Sequence, residues 1–376
     1  VTVYVDISSA VHAKAGIGRY AESLVKALVA RQPSRYALFY NRTGRTQPLP
    51  GLGSTPTSTV PAGYKPWRLA VWLGQLARVG FNALVPGAEL FHATEHLLPP
   101  LEGIPTVLTV HDMIFRLFPE HQKRLNYWYL NATMPLFCKR ADAIITVSES
   151  SKRDIVAQYG LRSSKINVVY EAAAPEFLPA SPEETTAIRL RYGLPEQYLL
   201  HVGTIEPRKN LTRLIQALQK LREGGLQIPL VVVGSRGWLY DDFFKQLESM
   251  QVADSVLFPG YVPAPDLPTL YSAATVAIVP SVYEGFGLPL LEAMACGTPV
   301  VSSSSSSLPE VGGDAALYFD PYDAESMAEV IRSVWTSADL REHLRSLGQA
   351  RSAQFSWNRA AQETENVYDA LLSEST

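Results

Sequence analysis

Short runs of β-branched and aromatic residues recur along the chain, each followed by a stretch in which apolar side chains return every three or four positions. In the first half the runs are VTVYVDI, YALFY, ELFHA, TVLTV, AIITVS and INVVY. In the second half the series restarts with YLLHVG, PLVVVG, SVLFPG, VAIVPS and PVVSS. Strands that are apolar along their whole length and alternate with helices form parallel sheets covered on both faces. The pattern therefore predicts an α/β chain of two doubly wound, Rossmann-like domains. The first helix shows the stripe expected of one face packed on a sheet, with Ile17, Tyr20, Ala21, Leu24, Val25 and Leu28 in register. Between the two series, AAAPEFLPASPEETTAIRLR replaces the strand pattern with prolines, small residues and acids, and reads as an interdomain linker. The expected division is a first domain over 1–178, a second over 179–357 and a terminal helix over 358–376, with Ser356 as the cap of SWNRAAQETENVYDALL.

A length of 376 residues agrees with two domains, because it exceeds what one hydrophobic core supports. The net charge of −3 gives no global electrostatic case for nucleic acid or an anionic membrane, so only local basic clusters argue for anionic ligands. Cys138 and Cys296 lie in apolar helical runs and read as buried thiols of a reducing compartment. No run approaches the roughly 20 apolar residues that span a bilayer, and the first residues resemble a strand more than a signal peptide, so a cytoplasmic location is expected. The Asn-x-Thr triplets at Asn41, Asn131 and Asn210 are then chance matches.

Two such domains facing each other would make a cleft lined by the carboxyl ends of both sheets, where ligands of open α/β sheets bind. Strand YLLHVG runs through Gly203 and Thr204 into Arg208 and Lys209, just before a helix starting near Leu211. Two cations, free backbone donors and a helix dipole suit an anion, and the close approach allowed at Gly203 favours a diphosphate over a merely solvated basic turn. After strand VAIVPS comes EGFGLPLLEAMACGTPV, with Glu284 and Glu292 in an apolar, glycine-rich setting. Pro289 suits the first helical position, which puts Glu284 in the loop and Glu292 in the first turn. Gly285 and Gly287 would let the backbone approach a ligand. A loop acid can accept from sugar hydroxyls and the later one from a ribose diol, with no metal required; the plainer alternative is a helix-capping Glu292 and an exposed Glu284.

Strand TVLTV ends in His111 and Asp112, a candidate contact for a substrate hydroxyl. Gly16, Gly18 and Ala21 spell G-x-G-x-x-A, but they lie too far from the first strand for a dinucleotide turn, and the second strand ends in Asn41 where an acid would bind ribose. Residues Ala15 to Tyr20 are read instead as a flexible glycine loop over the cleft. His92, Glu95 and His96 spell the inverted zinc-protease pattern on what reads as a strand, so a zinc site is not expected. In the segment 64–85, Lys65, Arg68 and Arg78 alternate with Trp67, Trp72 and Phe81. It suits a peripheral membrane contact on the inner face, although burial in the first domain is preferred because no clear polar face is visible.

Together, AGIGRY, the His111-Asp112 strand end, VGTIEPRKN, SVYEGFGLPLLEAMACGTPVV and SSLPEVGGDAALYFDP resemble the retaining glycosyltransferases of family four, with the GT-B fold, over nearly the whole chain. The E-x7-E element Glu284…Glu292 is the most specific part. The resemblance implies that Glu284 meets the donor sugar and Glu292 the nucleotide ribose, that Arg208 and Lys209 neutralise the diphosphate, and that His111 meets the sugar. It further implies that the Gly16–Gly18 loop lies near the diphosphate, that Gly203, Thr204, Gly285, Phe286, Gly287 and Leu288 line the donor site, and that the C-terminal helix crosses back to the first domain. Catalysis would rest on His111, Glu284, Arg208 and Lys209, with no metal and no cofactor. Ala15 stands where many members have glycine, and six serines precede Leu308-Pro309-Glu310; neither departure is expected to touch the two glutamates.

The style of the motifs resembles bacterial mannosyltransferases of polysaccharide assembly. GDP-mannose is then the leading donor and UDP-glucose the next, with a saccharide or lipid-linked saccharide as acceptor and an α-glycosidic product. A sugar-nucleotide epimerase of the same architecture and a nonenzymatic sugar-nucleotide binder are the alternatives.

Overall fold

The computed structural model describes residues 2–12, 16–42, 46, 49–260 and 262–374. It divides into two compact units: Val1–Leu117 with Arg124–Glu171 and Ser356–Thr376, and Phe118–Lys123 with Ala172–Phe355.

The first unit is built on seven strands: β1 (Val3–Asp6), β2 (Tyr36–Asn41), β3 (Thr57–Val60), β4 (Leu90–Ala93), β5 (Thr106–Val110), β6 (Ala143–Thr146) and β7 (Ile166–Val168). Every pairing is parallel, in the order β3-β2-β1-β4-β5-β6-β7. Each apolar run of the first half supplies a strand. Strand β3, sequence TSTV, was not legible because an edge strand with little burial needs no apolar run.

The helix Ile17–Arg31 buries Tyr20, Ala21, Leu24, Val25 and Leu28, the stripe read from the sequence. Its start corrects the glycine-loop expectation. Gly16, at φ 65°, precedes the helix, whereas Gly18 is already inside its first turn. A Cβ on Gly18 would stand 2.8 Å from the Ser9 carbonyl oxygen, so glycine there permits close backbone packing. Ala15 lies outside the described residues.

The C-terminal helix, Trp357–Glu374, belongs to this unit and packs on Ile17–Arg31. Ser356 caps it through the Arg359 amide at 3.2 Å. On its inner face Glu365 accepts from Tyr36 Oη at 2.8 Å and from Arg31 Nε at 2.9 Å. Tyr368 Oη lies 2.6 Å from Nδ1 of His92 on β4, whose Nε2 meets Thr109 Oγ1 at 2.8 Å. Both ring nitrogens of His92 are thus engaged within the core, and burial pushes its pKa down to about 3.

The second unit carries β8 (Leu199–Val202), β9 (Leu230–Val233), β10 (Val256–Leu257), β11 (Val276–Val279), β12 (Val300–Ser303) and β13 (Ala316–Phe319). Its strands are all parallel in the order β10-β9-β8-β11-β12-β13. The order in which successive strands are added reverses between β8 and β11, the kind of place where ligands of open α/β sheets bind. Before β8, the stretch read as linker ends in a helix, Pro182–Tyr192. Its start is a capping box in which Ser181 and Glu184 satisfy each other's backbone amides.

Candidate functional site

The carboxyl ends of β8 and β11 form one polar cluster inside the second unit. After β8 the chain passes Gly203 and Thr204 and makes a tight turn over Pro207–Lys209, which Asn210 closes in the left-handed region at φ 57°. An asparagine tolerates that conformation, and here its Nδ2 donates to the carbonyls of Pro280 at 3.0 Å and Pro321 at 2.7 Å. The Val282 amide donates to Arg208 O at 3.0 Å. The basic turn is thereby pinned against the segment that follows β11.

This placement joins what the sequence presented separately. Lys209 Nζ donates to Glu284 Oε1 at 2.6 Å, and the Arg208 guanidinium pairs with Oε2 of the same carboxylate. Ser281 Oγ donates to Oε1 at 2.6 Å. On its other side Arg208 pairs with Glu206 at 2.7 Å and donates to Tyr283 O at 3.0 Å. Lys209 is 7% exposed and Glu284 8%, so the plainer alternative of an exposed Glu284 falls; charges this deep persist only when paired. Burial pushes the Glu284 carboxyl up, but Arg208, Lys209 and Ser281 outweigh it and bring the pKa down to about 2. Burial and the neighbouring Arg208 push Lys209 down while Glu284 pulls it back up. The same bond thus favours the carboxylate's charge and only partly offsets the lysine's desolvation.

The loop carrying Glu284 is held by the serine run, which corrects the expectation that those serines stay clear of the glutamates. Ser306 Oγ accepts from the Glu284 amide at 2.8 Å, and Ser307 Oγ donates to Glu284 O at 2.9 Å and Phe286 O at 2.6 Å. Beyond Gly285 and Phe286, Gly287 sits at φ 122°, and a Cβ there would stand 2.9 Å from Leu308 Cδ2, so the position is restricted to glycine. The helix then runs Leu288–Ala295, with Pro289 one residue later in it than expected. Glu292 consequently falls past the first turn. It is buried and accepts from Tyr271 Oη at 3.1 Å.

His111, Gly16 and Gly18 belong to the first unit. His111 Nε2 donates to Thr94 O at 3.0 Å, and its Nδ1 lies 3.5 Å from Glu171 Oε1. The ring meets Tyr20 edge to face, centroids 4.6 Å apart, which ties His111 to the first turn of the helix behind Gly16. Burial pushes the imidazole pKa down, but the bond and charge of Glu171 reverse this and the net direction is up. Asp112 instead accepts from the Ile114 amide at 3.0 Å.

Sequence reading missed Glu171, Glu206, Ser281 and Tyr271. The available signal was an acid directly after the INVVY run for Glu171 and an acid two residues before Arg208 for Glu206. Cys138 and Cys296 are buried free thiols, both pushed up to about 12 chiefly by burial.

Two family models match the chain: Glycosyltransferase Family 4 over residues 15–177 and Glycosyl transferases group 1 over residues 186–351. O-antigen chain mannosyltransferase B of Escherichia coli is 35% identical, over 95% of this chain and 96% of its own. Serotype-specific mannosyltransferase WbdA of Escherichia coli is 31% identical over 73% of this chain, which spans 35% of that longer protein. Among solved structures, sucrose-phosphate synthase of Thermosynechococcus elongatus superposes with a TM-score of 0.79 at 21% identity, covering 99% of both chains. WaaG, a glycosyltransferase involved in lipopolysaccharide biosynthesis, gives 0.72 at 18%, covering 98% of this chain and 99% of its own. These last two likenesses are of fold.

Proposed function

Since the chain belongs to the family 4 glycosyltransferases and has their GT-B fold, we propose that it transfers mannose from GDP-mannose, with retention, to a saccharide or lipid-linked saccharide. The observation that carries the site assignment is the Arg208–Lys209–Glu284 cluster at the reversal point between β8 and β11. The mannosyl assignment rests on similarity to the O-antigen mannosyltransferase along almost the full chain.

In this reading Arg208 and Lys209 meet the donor diphosphate and neutralise the charge that builds on it as the sugar leaves. Glu284 fixes both cations beforehand. A carboxylate has about four lone-pair sites. Arg208, Lys209 and Ser281 occupy three of them among the described residues, which leaves one on Oε2 for a sugar hydroxyl. Glu292 takes the ribose and His111 a sugar hydroxyl. Among the described residues the carboxylates of this cluster, Glu284 and Glu206, are both paired with Arg208, and neither is assigned as a nucleophile. The acceptor therefore attacks on the face the diphosphate leaves, and a leaving-group oxygen takes the acceptor proton. The new glycosidic bond keeps the α configuration of the donor.

The test is to incubate the protein with GDP-mannose or UDP-glucose, with and without a mannose-terminated acceptor, and to take the product's proton NMR spectrum. An α-mannoside formed from GDP-mannose supports the reading. A β-anomeric product overturns the mechanism, glucosyl transfer from UDP-glucose overturns the donor, and an epimerised sugar formed from donor alone overturns the transferase role.

A further inference from the structure

Every strongly exposed large apolar side chain of the first unit, among the described residues, lies on or directly after two helices, Tyr64–Ala77 and Arg124–Arg140. The first of these has two apolar faces. Trp67, Val71 and Gly74 are buried, whereas Leu69, Leu73 and Leu76 follow i, i+4, i+7 spacing on the outside and are 51%, 53% and 58% exposed. Val79 extends that stripe, and Leu125 and Trp128 do the same on the second helix at 78% and 66%. The sequence preferred burial for this segment because no polar face was visible. The structure shows why none was: the outward face is also apolar.

The two helices are fixed side by side. The Arg68 guanidinium stacks over the Tyr129 ring at 3.6 Å and donates to Asn126 Oδ1 at 3.2 Å; Tyr129 Oη donates to Arg68 O at 3.2 Å. Trp72 meets Tyr129 edge-on at 6.3 Å, and Arg140 donates to Gln75 Oε1 at 2.6 Å. These contacts tie together the two helices that carry the exposed stripes.

Its charge has a single sign. Neither 64–85 nor 124–141 contains an acid, although the chain as a whole carries −3. Lys65, Arg78, Arg124 and Lys139 are exposed, and the nearby acids fall at the ends of the two segments: Glu102 beside Gly80, Glu120 ahead of Arg124 and Asp142 after Arg140. An apolar stripe flanked by lysines and arginines is the chemistry of a helix lying in a bilayer interface, and it fits anionic headgroups. A second copy of the chain is a poor fit, because a two-fold contact sets the patch against itself and opposes like charges.

We propose that this two-helix face docks on an anionic lipid surface, apolar stripe inward and basic side chains on the headgroups. The inference does not depend on the transferase reading, since vesicle binding would be measured without donor or acceptor. The experiment is co-sedimentation of the full chain with vesicles of phosphatidylcholine alone or mixed with phosphatidylglycerol. The wild type is expected to bind the mixed vesicles, and to do so less as salt rises. Replacing the exposed leucines together (L69Q/L73Q/L76Q) should lower that affinity by about tenfold or more, because partial burial of three leucines is lost. The variant K65Q/R124Q/K139Q should lose about fivefold per charge on mixed vesicles and little on phosphatidylcholine. Circular dichroism melting checks that both variants fold. Failure of the wild type to sediment, or equal binding by the folded leucine variant, would overturn the proposal. So would a wild-type dimer in sedimentation velocity that the leucine variant converts to monomer, which would mean a second copy covers the face.

Discussion

Replacing Glu284 with glutamine removes the charge that holds Arg208 and Lys209 while keeping the shape of the side chain. The structure sets the magnitude in two ways. The carboxyl sits at about 2 against an ordinary 4.5, and at 1.36 kcal/mol per pKa unit this is worth about 3 kcal/mol at neutral pH. Independently, removing one partner of a buried ion pair costs about 3–5 kcal/mol, because the other charge stays buried and unpaired. For a unit of this size that is a fall of roughly 6–20 °C in melting temperature. Since the folded pKa lies below the unfolded one, the stabilisation is complete above about pH 4.5 and is lost as pH falls through about 2. Calorimetry of wild type and Glu284→Gln at neutral pH and near pH 3 should show a gap that narrows on acidification. A nucleoside diphosphate should raise the variant's melting temperature more than the wild type's, because its phosphates replace the missing counter-charge. A variant as stable as wild type at neutral pH, or one that gains less from the diphosphate, would refute the claim that Glu284 organises the two cations.

Glu292→Ala, which removes a buried acceptor beside Tyr271, should weaken nucleotide binding by about 10- to 150-fold in isothermal titration, and unchanged affinity would remove the ribose assignment. Transfer activity should persist in EDTA, because fixed cations meet the leaving group's charge; loss with rescue by magnesium would contradict this. Glu171→Gln should lower the His111 pKa in an NMR titration. Because Glu171 raises that pKa in the folded state, its stabilisation is full below the ordinary histidine range and fades as pH rises through the raised value, so the variant should lose stability on the acid side only. No change in the His111 titration would mean that the 3.5 Å contact does not set its charge.

Much of this was legible in the chain. Near-continuous apolar runs gave eleven strands because a parallel sheet buried on both faces tolerates little else; of the two not foreseen, β3 has no apolar run, whereas β13, ALYF, has one that follows a glycine-rich stretch. The stripe from Tyr20 to Leu28 needed only helical periodicity. VGTIEPRKN and EGFGLPLLEAM could be placed at strand ends because glycine and proline mark where strands stop and helices start. The sequence therefore determined the architecture and which residues stand at the carboxyl ends of the strands, since both follow from local pattern. It did not determine their partners. That Arg208 and Lys209 close on Glu284, that Ser306 and Ser307 hold its loop, that Glu171 and not Asp112 faces His111, and that Leu69, Leu73 and Leu76 point away from the core are outcomes of which strand lies beside which. Ion pairing and burial depend on distances between residues far apart in sequence, and only the folded sheet order brings those distances to hydrogen-bond length.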